Sequence, residues 1–267
     1  MRNTVVFETG NVYDNMNTAA RFYPEEMTAE ERAEDFLKRR IRLGDGYGFD
    51  GHKMFMADQL DKRGTYFEIT KEYVEANPNG WSDIREDILI VTDKVPGVVI
   101  GHPVADCPVV MMEDPIKGVA AIAHCSAELI DKRMPMLLAD ALAKTCDSRD
   151  EDILTYVSAC AGNNWIYDSF PKWATDKKLW ENAIVVDKNG IFHIDMRLAI
   201  ASQLHDRNLD ASQIEYNFTD TITDPYYYSN YAASPYGLND SSKAGRNFAG
   251  LFYPEENKKL VKSLELR

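Results

Sequence analysis

The sequence predicts a protein of the α+β class, with strands and helices combined in one domain. Two apolar runs, residues 98–112 and 119–123, flank the turn sequence Glu113-Asp114-Pro115-Ile116-Lys117-Gly118, a pattern typical of two strands joined in a hairpin. Residues 28–43 have the start signal and the apolar stripe of an amphipathic helix. Because no repeat or linker interrupts the chain, we expect residues 1–267 to form a single domain.

The first part of the chain supplies short strands and one long helix. Residues 4–8 and 88–92 are rich in apolar and β-branched side chains, which predicts strands. The helix at residues 28–43 begins with the capping box Thr28-Ala29-Glu30-Glu31, and Gly44 is expected to end it. Residues 70–87 are polar, which indicates a helix and loop before the next strand.

The second part of the chain continues the mixture of strands and helices. The predicted elements are a helix at 129–142 broken near Met134-Pro135, a strand at 153–159, a hairpin from 184–187 and 191–195, a helix at 196–207 and a charged helix at 254–267. The aromatic segment 226–231 favours a strand packed on the core, although its rings have the chemistry to stack on a nucleobase.

Composition excludes several classes of partner. The chain is 45% hydrophobic and 27% charged, as expected of a globular protein with a full core. Its net charge of −13 argues against nucleic acid or an anionic membrane as the main partner. No apolar run approaches the roughly 18–20 residues that span a bilayer. Four cysteines without a C-x-x-C spacing indicate a reducing compartment, so we expect a cytoplasmic protein.

Cys107 and His124 are the first candidate site residues. If the hairpin turn is centred between Pro115 and Ile116, these two residues lie directly opposite each other, with Cβ atoms roughly 4.5–5.5 Å apart. A thiolate and an imidazole in this arrangement can share one zinc ion, at about 2.3 Å from sulfur and about 2.0–2.1 Å from nitrogen. They can also act as a nucleophile and its base. A third reading is that Cys107 is a small buried hydrophobic residue.

Ordered motifs along nearly the whole chain resemble the laccase-domain family, also called the multicopper polyphenol oxidoreductase or purine nucleoside phosphorylase-like family. This family includes the peptidoglycan editing factors. The matching segments are Ala105-Asp106-Cys107, Pro108-Val109-Val110, Asp114-Pro115, Val119-Ala120-Ala121 with His124, Ser158-Ala159-Cys160-Ala161-Gly162, Phe192-His193-Ile194-Asp195-Met196-Arg197, Tyr227-Tyr228-Ser229 and Gly245-Arg246.

The resemblance implies a fold and a chemistry. The implied fold is a single α+β domain with a mixed central β-sheet and flanking helices, the laccase-domain (cysteine-hydrolase-like) fold, with a metal site at one edge. The implied ligands include Cys107 and His124. The implied substrates are purine nucleosides, cleaved with phosphate or deaminated. Older family descriptions give a copper-dependent polyphenol oxidase, and another assigns removal of wrong amino acids from cell-wall precursors.

Several positions depart from the family pattern. Gln59-Leu60-Asp61 stands where the family has Q-V-H, so Asp61 occupies the place of the third ligand, a histidine. A carboxylate oxygen binds zinc at about 2.0–2.2 Å, but Asp61 is equally readable as a surface residue of a charged run. His102 differs in parity from Cys107 and would face the other way along one regular strand, unless Pro103 causes a bulge. The family's arginines near His124 and in the first strand are absent.

Three hypotheses of function follow. The leading hypothesis is a divergent zinc enzyme acting on purine nucleosides, with Cys107, His124 and Asp61 as ligands. Zinc lowers the pKa of water to about 7 and so suits deamination. Phosphorolysis needs cationic phosphate clamps, for which Arg197 and Arg246 are the remaining candidates. The alternatives are a Cys107–His124 thiol hydrolase of an amide, and a non-catalytic member that binds a small molecule or partner. Five histidines are too few for several copper centres, which argues against a laccase mechanism.

Overall fold

The structure, a computed structural model, describes residues 3–11, 15–16, 24–57, 63–80 and 84–254. The strands are β1 (Val5–Glu8), β2 (Met54–Met56), β3 (Tyr66–Ile69), β4 (Ile88–Val91), β5 (Val99–Val104), β6 (Val109–Asp114), β7 (Val119–His124), β8 (Leu154–Val157), β9 (Trp165–Tyr167), β10 (Ile184–Val186), β11 (Phe192–Ile194), β12 (Ile214–Tyr216) and β13 (Asn247–Phe252). The helices are α1 (Ala29–Tyr47), α2 (Lys71–Ala76), α3 (Ala127–Asp131), α4 (Met134–Cys146), α5 (Lys177–Trp180), α6 (Met196–Asp206) and α7 (Asn230–Ala233).

Within the described residues the strands form three sheets. The large sheet has the order β12-β8-β6-β7-β4-β3, the flanking sheet has the order β1-β13-β5-β2, and the outer sheet has the order β10-β11-β9. The large and flanking sheets both combine parallel and antiparallel pairs. The α+β class and the mixed sheet with flanking helices are therefore confirmed. None of the described helices has the length and apolarity that crossing a bilayer requires.

The large and flanking sheets pack face to face and enclose an apolar layer, here called the inter-sheet layer. Its fully buried members come from both sheets: Phe55, Ile69, Leu89, Val91, Ile100, Val109, Met111, Ala120, Ile122 and Leu251. On its other face the flanking sheet carries α1, and the large sheet carries α3, α4 and α6. Strand positions thus alternate between two apolar environments, which explains why β4 is apolar throughout, β7 is apolar up to His124, and β6 is apolar over its first four residues.

Helix α1 begins as predicted and ends later. The Thr28 side chain accepts from the backbone N–H of Glu31, and the Glu31 side chain accepts from the backbone of Thr28, which confirms the capping box. The helix continues through Gly44 to Tyr47, and Gly48 closes it in a left-handed conformation. Gly44 is needed inside the helix because a Cβ there would lie 2.7 Å from the Phe49 carbonyl oxygen.

The long apolar run at residues 98–112 forms two strands in different sheets. β5 belongs to the flanking sheet and β6 to the large sheet, and a bend at residues 105–107 separates them. The hairpin between β6 and β7 is confirmed, but its register differs from the prediction because Gly118, at φ +74°, closes the turn one residue later. Val109, and not Cys107, is therefore the residue paired with His124.

The remaining elements mostly follow the predicted pattern. The break before α4 and the hairpin of β10 and β11 are confirmed. The aromatic segment 226–231 was expected to be a strand, and this is wrong: it forms turns leading into α7. The cause is the buried Lys243 ammonium, which donates to the backbone carbonyls of Thr221, Asp224 and Tyr227 and so fixes a turn. The predicted helix at residues 254–267 falls almost wholly outside the described residues.

Candidate functional site

Polar side chains replace apolar ones at one end of the inter-sheet layer. Ala249 of β13 lies directly opposite both Glu8 of β1 and His102 of β5, so these three residues form one row on the same face of the flanking sheet. The preceding row, Val6, Leu251 and Ile100, belongs to the apolar core. We call the end marked by Glu8, His102 and His124 the polar end.

His102 and His124 face each other across the two sheets. His102 is on β5 of the flanking sheet, and His124 is the last residue of β7 in the large sheet. Their ring centroids are 6.1 Å apart, with the ring planes inclined at 45°. The parity argument against His102 is wrong, because β5 ends at Val104 and Cys107 lies in the bend that follows it. Strand alternation holds only within one continuous strand.

His102 is a neutral imidazole deep in the protein. Its exposed fraction is 2%, and its Nε2 is buried with no hydrogen-bond partner among the described residues. Burial lowers the pKa of His102 to about 3, and the nearby His124 contributes to the lowering. The imidazole therefore stays uncharged near neutral pH, which is the form that binds metals.

Cys107 lies in the bend between β5 and β6, two residues before the partner of His124. Its thiol is not part of a disulfide and is partly exposed. By contrast, Cys125 and Cys160 are fully buried, and burial raises the pKa of both thiols. Burial also raises the pKa of Cys146, to about 11. Among the four thiols, Cys107 is thus the one whose surroundings suit contact with a ligand.

The bend carrying Cys107 is held in a strained conformation by Asp106. Asp106 has φ +79°, a left-handed conformation that few residues other than glycine adopt. Its carboxylate accepts from the Thr221 hydroxyl at 2.8 Å and from the backbone N–H of Tyr231 at 2.6 Å. Its carbonyl accepts from the backbone N–H of Ala161 at 2.8 Å. These contacts fix the backbone immediately before Cys107, and strain of this kind is commonly kept at functional sites.

Glu8 is a polar-end residue that sequence reasoning missed. The Tyr156 hydroxyl donates to its Oε1 at 2.8 Å, the backbone N–H of Ala159 to its Oε2 at 3.0 Å, and Asn217 Nδ2 to its Oε1 at 3.1 Å. Burial raises the pKa of the Glu8 carboxyl, and the hydrogen bonds oppose that rise. The sequence signal that could have identified Glu8 is a charged residue at the end of the apolar strand segment Val5–Glu8.

The third predicted ligand, Asp61, lies outside the described residues. Ala57, the last described residue before that gap, is buried in the inter-sheet layer one position beyond β2. Within the ranges that the structure describes, no group of three or more His, Cys, Asp or Glu side chains has a metal-binding arrangement. The assignment of Cys107, His124 and Asp61 as one set of ligands therefore stays a prediction.

The two candidate phosphate clamps are already engaged. The Arg197 guanidinium binds Asp195 through two parallel contacts, Nε to Oδ1 at 2.9 Å and Nη2 to Oδ2 at 3.0 Å. Arg246 Nη1 donates to the carbonyl of Gly245 at 2.8 Å. A bidentate ion pair offsets most of the charge that an arginine would present to phosphate.

His193, which belongs to one of the family-like segments, lies on the outer sheet. Its Nδ1 contacts the Asn163 carbonyl oxygen at 2.8 Å.

Comparison with known families gives one match that covers most of the chain. Residues 11–251 match a family model described as multi-copper polyphenol oxidoreductase laccase. Comparison with curated proteins gives no match.

The fold is similar to those of several solved bacterial proteins. The structure of YlmD from Geobacillus stearothermophilus has a TM-score of 0.71 at 16% identity, covering 95% of this chain and 93% of that one. The hypothetical protein YfiH of Bacillus licheniformis has a TM-score of 0.67 at 16% identity, with 89% and 85% covered. Neisseria meningitidis protein NMB0706 has a TM-score of 0.61 at 14% identity, with 96% of each chain covered. At these identities the likeness concerns the fold alone.

Proposed function

The chain belongs to the multi-copper polyphenol oxidoreductase laccase family, and from this premise we propose that its polar end is the catalytic centre of a metal-dependent enzyme acting on purine nucleosides. Family membership confirms the resemblance that the ordered motifs suggested. The observation that carries the proposal is the convergence of His102 and His124 from two sheets at one end of an otherwise apolar layer. Polar groups concentrated at the end of an apolar core are typical of a binding site.

In this proposal Cys107 and His124 are metal ligands, and the third ligand is either Asp61, as the alignment with the family predicts, or another donor at the polar end. The donor types fit zinc, which binds thiolates and imidazoles and accepts a carboxylate. A buried imidazole nitrogen without a hydrogen-bond partner, as in His102, also fits a place where an ion is bound. Zinc, when bound with an open position, would supply water activated near neutral pH.

The chain's own residues organise the site around that centre. Asp106 fixes the bend that presents Cys107, through its contacts with Thr221 and Tyr231. Glu8 joins β1 to the ends of β8 and β12, since its carboxylate is bound by Tyr156, Ala159 and Asn217. The inter-sheet layer behind the histidines consists of buried apolar side chains, which keep that side of the centre free of competing polar groups.

Hydrolytic deamination is the form of the activity that we favour over phosphorolysis. Phosphorolysis would need a positive clamp for phosphate, and Arg197 is bound to Asp195 in a bidentate pair. Deamination replaces the 6-amino group of the purine with oxygen from water and releases ammonia. Water and ammonia, the groups exchanged in this reaction, are written as neutral molecules. The net charge of −13 therefore does not oppose their binding, as it would oppose the binding of phosphate.

Metal analysis combined with a nucleoside assay tests the proposal. Wild-type protein should bind close to one zinc per chain, and should release ammonia from adenosine faster than base from inosine with phosphate. Cys107→Ser and His124→Ala should each lose most of the metal and the activity. His193→Ala is the matched control, because this histidine lies on the outer sheet and should leave both unchanged.

Two outcomes would replace the proposal by another. Protein that binds a nucleoside and metal but releases neither ammonia nor base is a non-catalytic binding protein. Metal-free protein whose Cys107 is alkylated faster than Cys125, Cys146 and Cys160, with the advantage lost in His124→Ala, is a thiol hydrolase.

A further inference from the structure

We infer that His102 is a metal ligand of this chain and forms the nitrogen pair of the site together with His124. The inference rests on the proposed function, since it concerns the metal of the same centre. In the family pattern the third ligand is a histidine at the position of Asp61. We assign that ligand role to His102, which lies on β5 of the flanking sheet. Asp61 then becomes dispensable for metal binding.

The distance between the two rings fits a shared ion. Two imidazoles that bind one zinc ion at about 2.0–2.1 Å have ring centroids about 5–6 Å apart, depending on the angle at the metal. The centroids of His102 and His124 are 6.1 Å apart. The observed separation of the two rings is therefore close to that of two imidazoles bound to one ion.

The buried Nε2 of His102 needs a partner that the described protein atoms do not provide. A buried polar atom without a hydrogen bond costs about 1–3 kcal/mol, so such atoms are rare and call for an explanation. A histidine that served only the core would be expected to use both ring nitrogens in hydrogen bonds. His102 instead has an exposed fraction of 2% and an Nε2 without a partner among the described residues, in a ring whose centroid lies 6.1 Å from that of a second imidazole.

The strand also fixes where His102 points. β5 pairs with β13 along its whole length, with His102 opposite Ala249, and with β2 from Val99 to Gly101, so the backbone leading to residue 102 is held by both neighbouring strands. The same row contains Glu8 and the small Ala249, so the nearest side chain on the paired strand is only a methyl group. A ligand on a paired strand is positioned more accurately than one on a loop.

The test measures zinc and cobalt binding by the full chain, without an activity assay. His102→Ala should weaken zinc binding by about 100-fold or more, since even residues that only support a ligand are worth 10–100-fold. Asp61→Ala should change it little, and His193→Ala should not change it. In cobalt-loaded protein His102→Ala should alter the ligand-field spectrum, which reports the donor set directly.

His102→Cys provides a rescue that separates loss of a ligand from loss of folding. Cysteine is itself a zinc donor, so this variant should recover most of the zinc affinity and add intensity to the thiolate-to-cobalt charge-transfer absorption. His102→Ala that keeps wild-type zinc affinity, while Asp61→Ala loses it, would overturn the inference and leave the proposed function standing. Wild-type protein that binds neither zinc nor cobalt would overturn both.

Discussion

The apolar interior and the polar end of the inter-sheet layer are built from the same strands but have different constraints. In the interior, Ile100, Ile122 and Leu251 are fully buried members of one apolar cluster to which both sheets contribute. One row further along, the same strands present His102 and His124, and β1 presents Glu8. The interior is stabilised by burial of apolar area, whereas the polar end depends on specific hydrogen bonds and on pairing of individual polar atoms.

This difference shows how a sandwich of sheets accommodates chemistry without losing its core. Chemistry is confined to strand ends, where a polar group interrupts the apolar layer at its margin. Substitutions in the interior should therefore change stability more than metal binding, and substitutions at the polar end should do the reverse. The following predictions test this separation, beginning with the largest effect.

Leu251→Ala should give the largest loss of stability. The side chain is fully buried on β13 between the two sheets, and truncation of such a leucine costs about 2–5 kcal/mol through lost burial and the cavity left behind. Chemical denaturation measures this loss. Leu251→Met, which conserves volume, should cost less than about 1.5 kcal/mol. If folded Leu251→Ala binds zinc as weakly as His124→Ala does, effects on stability and on metal binding are not separate.

Asp106→Ala should reduce both stability and metal affinity. Its loss of stability should be smaller than that of Leu251→Ala. It removes the acceptor for the buried Thr221 hydroxyl and for the partly buried backbone N–H of Tyr231. We expect about 1–3 kcal/mol of destabilisation by denaturant titration. Zinc affinity should fall because the bend before Cys107 loses its support. Asp106→Asn keeps an acceptor and tolerates the left-handed backbone, so it is the control and should retain most of the affinity.

Glu8→Gln should give the smallest effect, visible as a change in pH dependence. Burial raises the pKa of the Glu8 carboxyl above its ordinary value near 4.5. Because the folded state then binds the proton more tightly than the unfolded state, the contribution of Glu8 is largest at low pH. It declines as pH rises from the ordinary pKa through the raised one.

Glutamine cannot titrate, so the stability of wild type relative to Glu8→Gln should fall as the pH rises above the ordinary pKa of a glutamate. Denaturation of both proteins at several pH values measures the difference. A difference that is constant with pH, or that grows as pH rises, contradicts the raised pKa. Leu251→Met serves as the control, because it changes no titratable group.

The sequence predicted elements well where local signals decide them. The capping box at Thr28 and Glu31, the strands of residues 4–8 and 88–92, and the hairpin that ends at His124 all depend on residues near one another in the chain. The family motifs likewise indicated Cys107 and His124 as the residues to examine. Propensity and turn chemistry are sufficient for features of this kind.

Features that depend on tertiary contacts were not predictable from the sequence. The run at residues 98–112 is apolar throughout, and its division between two sheets depends on Asp106, whose left-handed backbone is held by Thr221 and Tyr231. These partners lie more than 100 positions away in the chain. The same division explains why His102 was expected to face away from the site. The predicted hairpin register placed Cys107 opposite His124, whereas Val109 is the observed partner. The turn closes one residue later than predicted, at Gly118.

The position of β13 between β1 and β5 has a consequence for how the protein folds. Glu8 and His102 share a row only when Ala249 stands between them, so the polar end depends on a strand more than 140 residues beyond His102. Contacts so distant in sequence form slowly, because long loops must close before the contacts can stabilise them. On the ribosome, β1 and β5 would therefore wait, with exposed edges, until β13 has emerged. During that interval the nascent chain should be most prone to aggregation and most dependent on chaperones.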